Sequence, residues 1–402
     1  MLKQIQGGIT EPKGFKAAGV KAGIKKSGKE DLAIIYSIVP AATAAVFTQN
    51  VMAAAPVIVS RKTVENGTAS AIVVNSGCAN ACTGEQGLAD AKAMAHITAS
   101  ELGIQDDEVL VASTGIIGVT MPMDKISAGI KKAVAELSAD NHESARQAIL
   151  TTDTFPKSVV CEFQLGEYTT RIAGIAKGSG MIQPNMATML SFITTDITIA
   201  PALLKKALTK AVAISFNMIT VDGDTSTNDM VSVMANGMAG NPVIDDENSP
   251  VYHNFYLALE AVCICLAKQV ARDGEGATKF LEVQVKGAND FADAKKTAMA
   301  VARSPLVKTA FFGQDPNWGR ILCAVGYSEA AVVPEKTGLT IGGIQIVAGG
   351  LATQYDEKAL RAVMAAHDIS MTVDLGLGRA EATVWTCDFS YEYVKINGEY
   401  HT

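Results

Sequence analysis

Short runs rich in Val, Ile and Ala, broken by turn residues, predict strands over Leu32–Val39, Ala44–Thr48, Pro56–Ser60 and Ala69–Asn75. A further strand is expected at Glu108–Ala112, then a pair at Ser158–Gln164 and Tyr168–Ala176, and one from Met189 to Thr195. Longer stretches with helical spacing predict helices over Gln86–Leu102, Pro122–Leu137 (with Lys131 and Lys132 on an exposed face), His142–Leu150, Pro201–Ile214 and Tyr252–Val270. Pro201 suits a first helical position, where its missing N–H costs nothing. From Phe280 the texture changes to alternating strands and helices. The segment opens with strand Lys279–Lys286 and a helix Asn289–Ala302 capped by Asn289. Strands near Leu339–Ala348, Ile369–Gly376 and Glu381–Asp388, with helix Glu357–Ala366 among them, would complete this sheet, and Tyr393–Thr402 reads as a strand with a short polar tail. The change places a domain boundary near residue 280, giving domains 1–280 and 281–402.

The stretch from Ala176 to Leu190 interrupts this pattern. Lys177-Gly178-Ser179-Gly180 and the pair Pro184-Asn185 sit between two strand-like runs, and Ala187 is followed directly by Thr188. Gly and Pro-Asn punctuation makes a looped crossing rather than a helix. A threonine held at the mouth of such a loop is a candidate nucleophile, but a hydroxyl is weak and needs a base beside it. Cutting the chain before the threonine supplies one, because the new α-amino group lies on the same residue. Ala187-Thr188 is therefore read as a self-cleavage point.

Composition narrows the setting. The chain of 402 residues is long enough for two or three domains. Its net charge of −7, with no basic stripe, sets nucleic-acid binding aside. No apolar stretch reaches membrane-spanning length and the N-terminus lacks a signal-peptide core, so a soluble, cytoplasmic protein is expected. Seven cysteines, with Cys161, Cys263, Cys265, Cys323 and Cys387 in apolar runs, fit reduced, buried thiols. Cys78 and Cys82 have no second Cys/His pair at zinc-site spacing, so no metal is expected there.

Four other loops carry chemistry-bearing residues. Asn75–Gly84 is a dense run of small polar residues, and Ser113-Thr114-Gly115 at a strand end can turn a hydroxyl and backbone N–H groups into a cleft, as an oxyanion hole requires. Asp222–Asp229 has a calcium-loop look, but Thr227 replaces the glycine and Val233 the closing glutamate, so a hydrogen-bonded loop near the site is preferred. Glu275 stands between Gly274 and Gly276, equally compatible with a solvated turn and with a carboxylate projecting into a cavity. His96, His142 and His253 fit structural positions. No Gly-x-Ser-x-Gly elbow, Walker loop or dinucleotide fingerprint occurs, which argues against α/β-hydrolase, phosphoryl-transfer and dinucleotide chemistry.

Taken in order, Asn75–Gly84, Ser113–Gly118, Lys177–Leu190, Asp222–Asp229, Ala271–Lys279, Asp315–Arg320 and Asn397–Thr402 resemble the ornithine acetyltransferase (glutamate N-acetyltransferase) family of arginine biosynthesis, over the whole chain. The resemblance implies an αββα sandwich of the self-processing, N-terminal-nucleophile type, followed by a C-terminal α/β domain. It implies cleavage into an α chain, 1–187, and a β chain, 188–402, assembled as α2β2 or larger. The nucleophile would be Thr188 and the oxyanion hole Thr114 and Gly115. Substrate contacts would be Thr151, Lys177, Thr188, Glu275, Asn397 and Thr402. The implied reaction moves an acetyl group from N2-acetylornithine to glutamate by a ping-pong route, with no cofactor. Acetyl-CoA is a second donor that the same motifs allow. Two departures stand out: Cys78 where the family has Asn, and an Ile-Asn-Gly-Glu-Tyr tail. Rival readings are a self-processed aminopeptidase of similar fold, which would release product to water, and a binding protein that has lost catalysis.

Overall fold

The structure, a computed structural model, describes residues 2–183 and 189–399. Two sheets organise it. The larger runs, in spatial order, Lys3–Gln4, Lys157–Leu165, Tyr168–Lys177, Leu190–Thr195, Met230–Ala235, Leu32–Phe47, Thr68–Cys78 and Val109–Ile116, with Phe15–Val20 pairing the first half of Leu32–Phe47. The strand Leu32–Phe47 belongs to both halves of this sheet: its first part pairs Thr68–Cys78, its second pairs Met230–Ala235, and the register shifts between Tyr36 and Ala41, around Pro40. Proline cannot donate to the ladder, so the strand breaks its pairing and bends there.

The bend folds the sheet onto itself, and side-chain alternation then writes four layers. Ala33, Ile35, Ile72 and Val74 from one half meet Leu190, Phe192, Met230 and Met234 from the other in a shared inner core. On the outer side of the first half, Ile34, Val73 and Val111 pack against Met94, Ala95, Ile126 and Ile130 of helices Gly84–Leu102 and Met123–Ala135. On the outer side of the second, Ile193, Val231 and Val233 pack against Leu204 and Leu208 of Pro201–Ala213 and Val262 and Leu266 of Pro250–Arg272. This is the helix–sheet–sheet–helix arrangement that the resemblance implied. The last core continues into the smaller sheet, whose strands Phe280–Ala288, Asp368–Asp374 and Ala380–Cys387 share it.

Several expected elements change. Pro56–Ser60 lies in a helix, Ala55–Thr63, with Pro at its start; Ile58 is half exposed while Val57 and Ser60 are buried, a helical rather than alternating pattern. Met230–Ala235 is a central strand that the sequence reading passed over. The tail is a helix, Tyr391–Glu399, not a strand, with Tyr391 and Val394 open to solvent. Asp290, not Asn289, caps Phe291–Arg303, its carboxylate accepting from the Asp293 N–H at 2.9 Å. Not all the cysteines in apolar runs are buried: Cys323 is exposed on the open face of Trp318–Gly326, whose Ile321, Ala324 and Val325 point inward. Helix Pro250–Arg272 is long and apolar enough to cross a membrane by composition, but its apolar stripe is spent on the core just described.

Candidate active site

The strand ends of the larger sheet converge on a cavity of about 250 Å³. Thr114, Gly115, Thr151, Lys177, Glu275 and Asn397, the described members of the sequence-predicted set, all line it. Ala187, Thr188 and Thr402 lie outside the described residues. Met189, the next residue after Thr188 in the sequence, lines the same cavity.

Thr114 and Gly115 come from the end of Val109–Ile116, which pairs in parallel with Thr68–Cys78. Gly115 has φ +131°, and a Cβ there would lie 2.4 Å from the Gly77 carbonyl carbon, so only glycine fits this crossing. Asn75 ties the neighbouring loop, donating to the Cys78 carbonyl at 2.9 Å and accepting from the Ser113 hydroxyl at 2.6 Å. The Cys78 thiol points away, into the outer core, where it donates to the Val119 carbonyl at 3.4 Å. That departure from the family pattern therefore leaves the cavity lining untouched.

Lys177 ends the strand Tyr168–Lys177 and is 8% exposed. Its Nζ donates to Thr114 Oγ1 at 3.3 Å. Burial pushes its pKa below the usual lysine value, while the charges of Asp153, Asp229 and Glu275 act in the opposite direction. Behind it lies a buried network that ties the turn at 151–157 to Asp273. Lys157 Nζ bonds Asp153 at 2.6 Å and Asp273 at 2.5 Å, with all three side chains nearly or fully excluded from solvent. Asp153 also accepts from the Gly178 N–H at 2.7 Å and the Thr151 N–H at 2.9 Å. Burial alone would raise the Asp153 pKa, but Lys157, Lys177 and the Gly178 N–H together hold it well below the usual carboxylate range. Thr154 bonds Asp273 through both N–H and hydroxyl.

Glu275 is not a solvated acid. Its residue is 6% exposed, and its N–H donates to the Ser179 carbonyl at 3.0 Å. Gly180 has no Cβ because one would stand 2.3 Å from Glu275 Oε2. Asn397 on the tail helix donates to that oxygen at 2.8 Å, and Ser390 holds the same helix by donating to the Gly276 carbonyl at 2.6 Å. The Asp222–Asp229 segment is the hydrogen-bonded loop expected: Asp222 accepts from Met181 and Ile182 N–H at 2.6 and 2.9 Å. Asn228 donates to the Ala79 and Ser113 carbonyls at 2.6 and 2.9 Å, joining this loop to both others. Thr152, Asp224 and Ser226 complete much of the polar wall. Among the described residues, no group of three or more His, Cys, Asp or Glu side chains could hold a metal.

This cavity joins a threonine hydroxyl, a buried cation and a buried carboxylate at the strand ends of a doubly layered α/β fold, an arrangement suited to acyl transfer on a charged small molecule. A profile of the ArgJ family matches residues 16–402. The "Arginine biosynthesis bifunctional protein ArgJ" of Symbiobacterium thermophilum is 53% identical, with all of both chains covered. That of Geobacter sulfurreducens is 51% identical over 97% of this chain and 99% of its own. A solved protein of the same name from Bacillus halodurans is 46% identical, with a TM-score of 0.51, covering 52% of this chain and 98% of its own. The chain belongs to the ArgJ family, the acetyltransferases of arginine biosynthesis. Its fold is that of the family, and its members work without a cofactor.

Proposed function

We propose that this chain cleaves itself between Ala187 and Thr188 and then moves an acetyl group from N2-acetylornithine to glutamate through an acetyl-threonine. In the precursor the Thr188 hydroxyl attacks the Ala187 carbonyl; this N-to-O acyl shift breaks the peptide C–N bond and frees the amine. Water then hydrolyses the ester to release the Ala187 carboxylate and the Thr188 hydroxyl. A free α-amino group has an ordinary pKa of about 7.7–8.0, close to the value a base needs near neutral pH. It takes the Thr188 proton as the hydroxyl attacks the acetyl carbonyl. Thr114 and the Gly115 N–H stabilise the oxyanion, ornithine leaves, and the glutamate amine reverses the sequence. Lys177 and Glu275 offer the opposite charges that an amino acid requires, and Thr151, Asn397 and Thr402 complete its contacts. Acetyl-CoA is a second donor compatible with the same chemistry. The α and β chains stay together, paired as α2β2 or larger, in the cytoplasm.

The observation that carries this reading is the convergence of Thr114, Gly115, Lys177, Glu275 and Asn397 on one cavity beside Met189. The solved Bacillus halodurans chain adds support: 98% of it matches 52% of this chain, about the length that a cut at Ala187-Thr188 would leave. The test is a single-turnover experiment. With N2-acetylornithine alone, ornithine should appear in a burst of one per site and the β chain should gain one acetyl group, which glutamate then removes. Acetate released steadily without glutamate would instead favour the aminopeptidase-like hydrolase, because that enzyme admits water to the acyl-threonine.

A further inference from the structure

Among the described residues, Asp229 is the one buried carboxylate of the cavity wall that the scheme above leaves unused. It stands immediately before the strand Met230–Ala235, whose first N–H donates to the Met189 carbonyl at 3.0 Å, so it lies beside the residue that follows Thr188. It lines the cavity and is only 2% exposed, and its Oδ2 has no hydrogen-bond partner among the described residues. Of the hydroxyls that flank it, Thr48 donates to the Ser226 carbonyl at 2.8 Å, and Ser226 Oγ accepts from the Asn228 N–H at 3.1 Å and keeps its own proton. A buried, unpaired carboxylate oxygen is costly to a fold and is compensated only when something donates to it. Resting on the acetyl-transfer reading, we infer that Asp229 is the amine-recognition residue of this cavity, its Oδ2 accepting an N–H from the α-ammonium of the acceptor amino acid.

The charges around it fit a cationic ligand. Lys177 is the cation that faces Asp229, while Asp222, Asp224 and Glu275 line the rest of the wall, so the cavity holds more acid than base. Burial raises the Asp229 pKa well above the usual carboxylate value, against the weaker pull of Ser226, Lys177 and Thr48. Burial therefore favours the protonated form of Asp229 in the empty site, and an arriving ammonium favours the ionised form. Binding an amino acid should thus release a proton that would otherwise stay bound.

The test compares wild type with Asp229→Asn and Asp229→Glu, assayed per cleaved chain. In Asp229→Asn the KM for glutamate should rise about 10- to 100-fold, the range expected for losing a charge-assisted hydrogen bond. Asp229→Glu should recover part of it. Titration of the free enzyme with ornithine, which carries the same α-ammonium, in two buffers of different ionisation enthalpy should show proton release in wild type. That release should be absent in Asp229→Asn, and a variant that folds without being cut is judged on this signal alone. A glutamate KM within threefold of wild type together with unchanged proton release would overturn the assignment. A wild type that transfers no acetyl group to glutamate would instead overturn the reading on which it rests.

Discussion

Lys157→Met should destabilise the folded chain by about 3–5 kcal/mol, the usual cost of leaving buried charges without their partner. Lys157 is wholly buried and, among the described residues, is the only cation bonded to the carboxylates of Asp153 and Asp273. Removing it leaves two anions in the interior, which the fold accommodates only by taking up protons. The pH dependence has a definite sign. The Asp153 pKa is depressed in the folded state, so its contribution is present above the ordinary carboxylate pKa and lost as pH falls through the folded value. The gap between wild type and variant should therefore be widest near neutral pH and shrink on acidification. Chemical unfolding across that range measures it, and a variant within about 1 kcal/mol of wild type at pH 7 would contradict the account. Activity should fall too, because Asp153 pins the Thr151 and Gly178 N–H groups in the cavity wall.

Thr114→Ala should lower kcat by about 100- to 1000-fold with little effect on stability, the range seen when one oxyanion-hole donor is removed. Lys177 donates to a lone pair of Thr114 Oγ1, which leaves the single hydroxyl proton free to be donated to something else. The lysine charge also polarises that hydroxyl in a site shielded from water. Thr114 is only partly buried at a strand end, so truncating it opens no core cavity. The expected signature is a fall in kcat with the thermal midpoint held within a few degrees. A kcat within tenfold of wild type would remove Thr114 from the oxyanion hole.

The sequence made much of this framework legible. Helices such as Pro201–Ala213 and Pro250–Arg272 carry their periodicity and starting prolines openly, and the paired strands around 157–177 fall within two residues of expectation. Failures occurred where local pattern and tertiary setting disagree. Ala55–Thr63 is short and apolar, and over so few residues strand and helix patterns are indistinguishable. Met230–Ala235 is buried on both faces, so it shows no alternation and hides behind the polar loop before it. The tail became a helix because Tyr393 and Asn397 are placed one turn apart, which lets Asn397 reach Glu275.

The site divides in the same way. Thr114, Gly115, Lys177 and Glu275 were singled out through the family resemblance; their own loops suggested a cleft at Ser113-Thr114-Gly115 but left Glu275 equally compatible with a solvated turn. The Asp153–Lys157–Asp273 network was not, since it joins positions more than a hundred residues apart, and an i,i+4 Asp–Lys pair in a turn resembles a solvated surface pair. Asp229 was hidden for a related reason. Its distinguishing property is a buried oxygen with no partner among the described residues, and no spacing in the chain encodes that.

The measurement that bears most directly on the central claim is the intact mass of the purified wild type beside Thr188→Ala. Two fragments in wild type, the second beginning at Thr188, and one uncut chain in the variant are the predicted result. A single 42.0 kDa chain in both would leave Thr188 without its own α-amino base, and the acetyl-threonine mechanism would have to be given up.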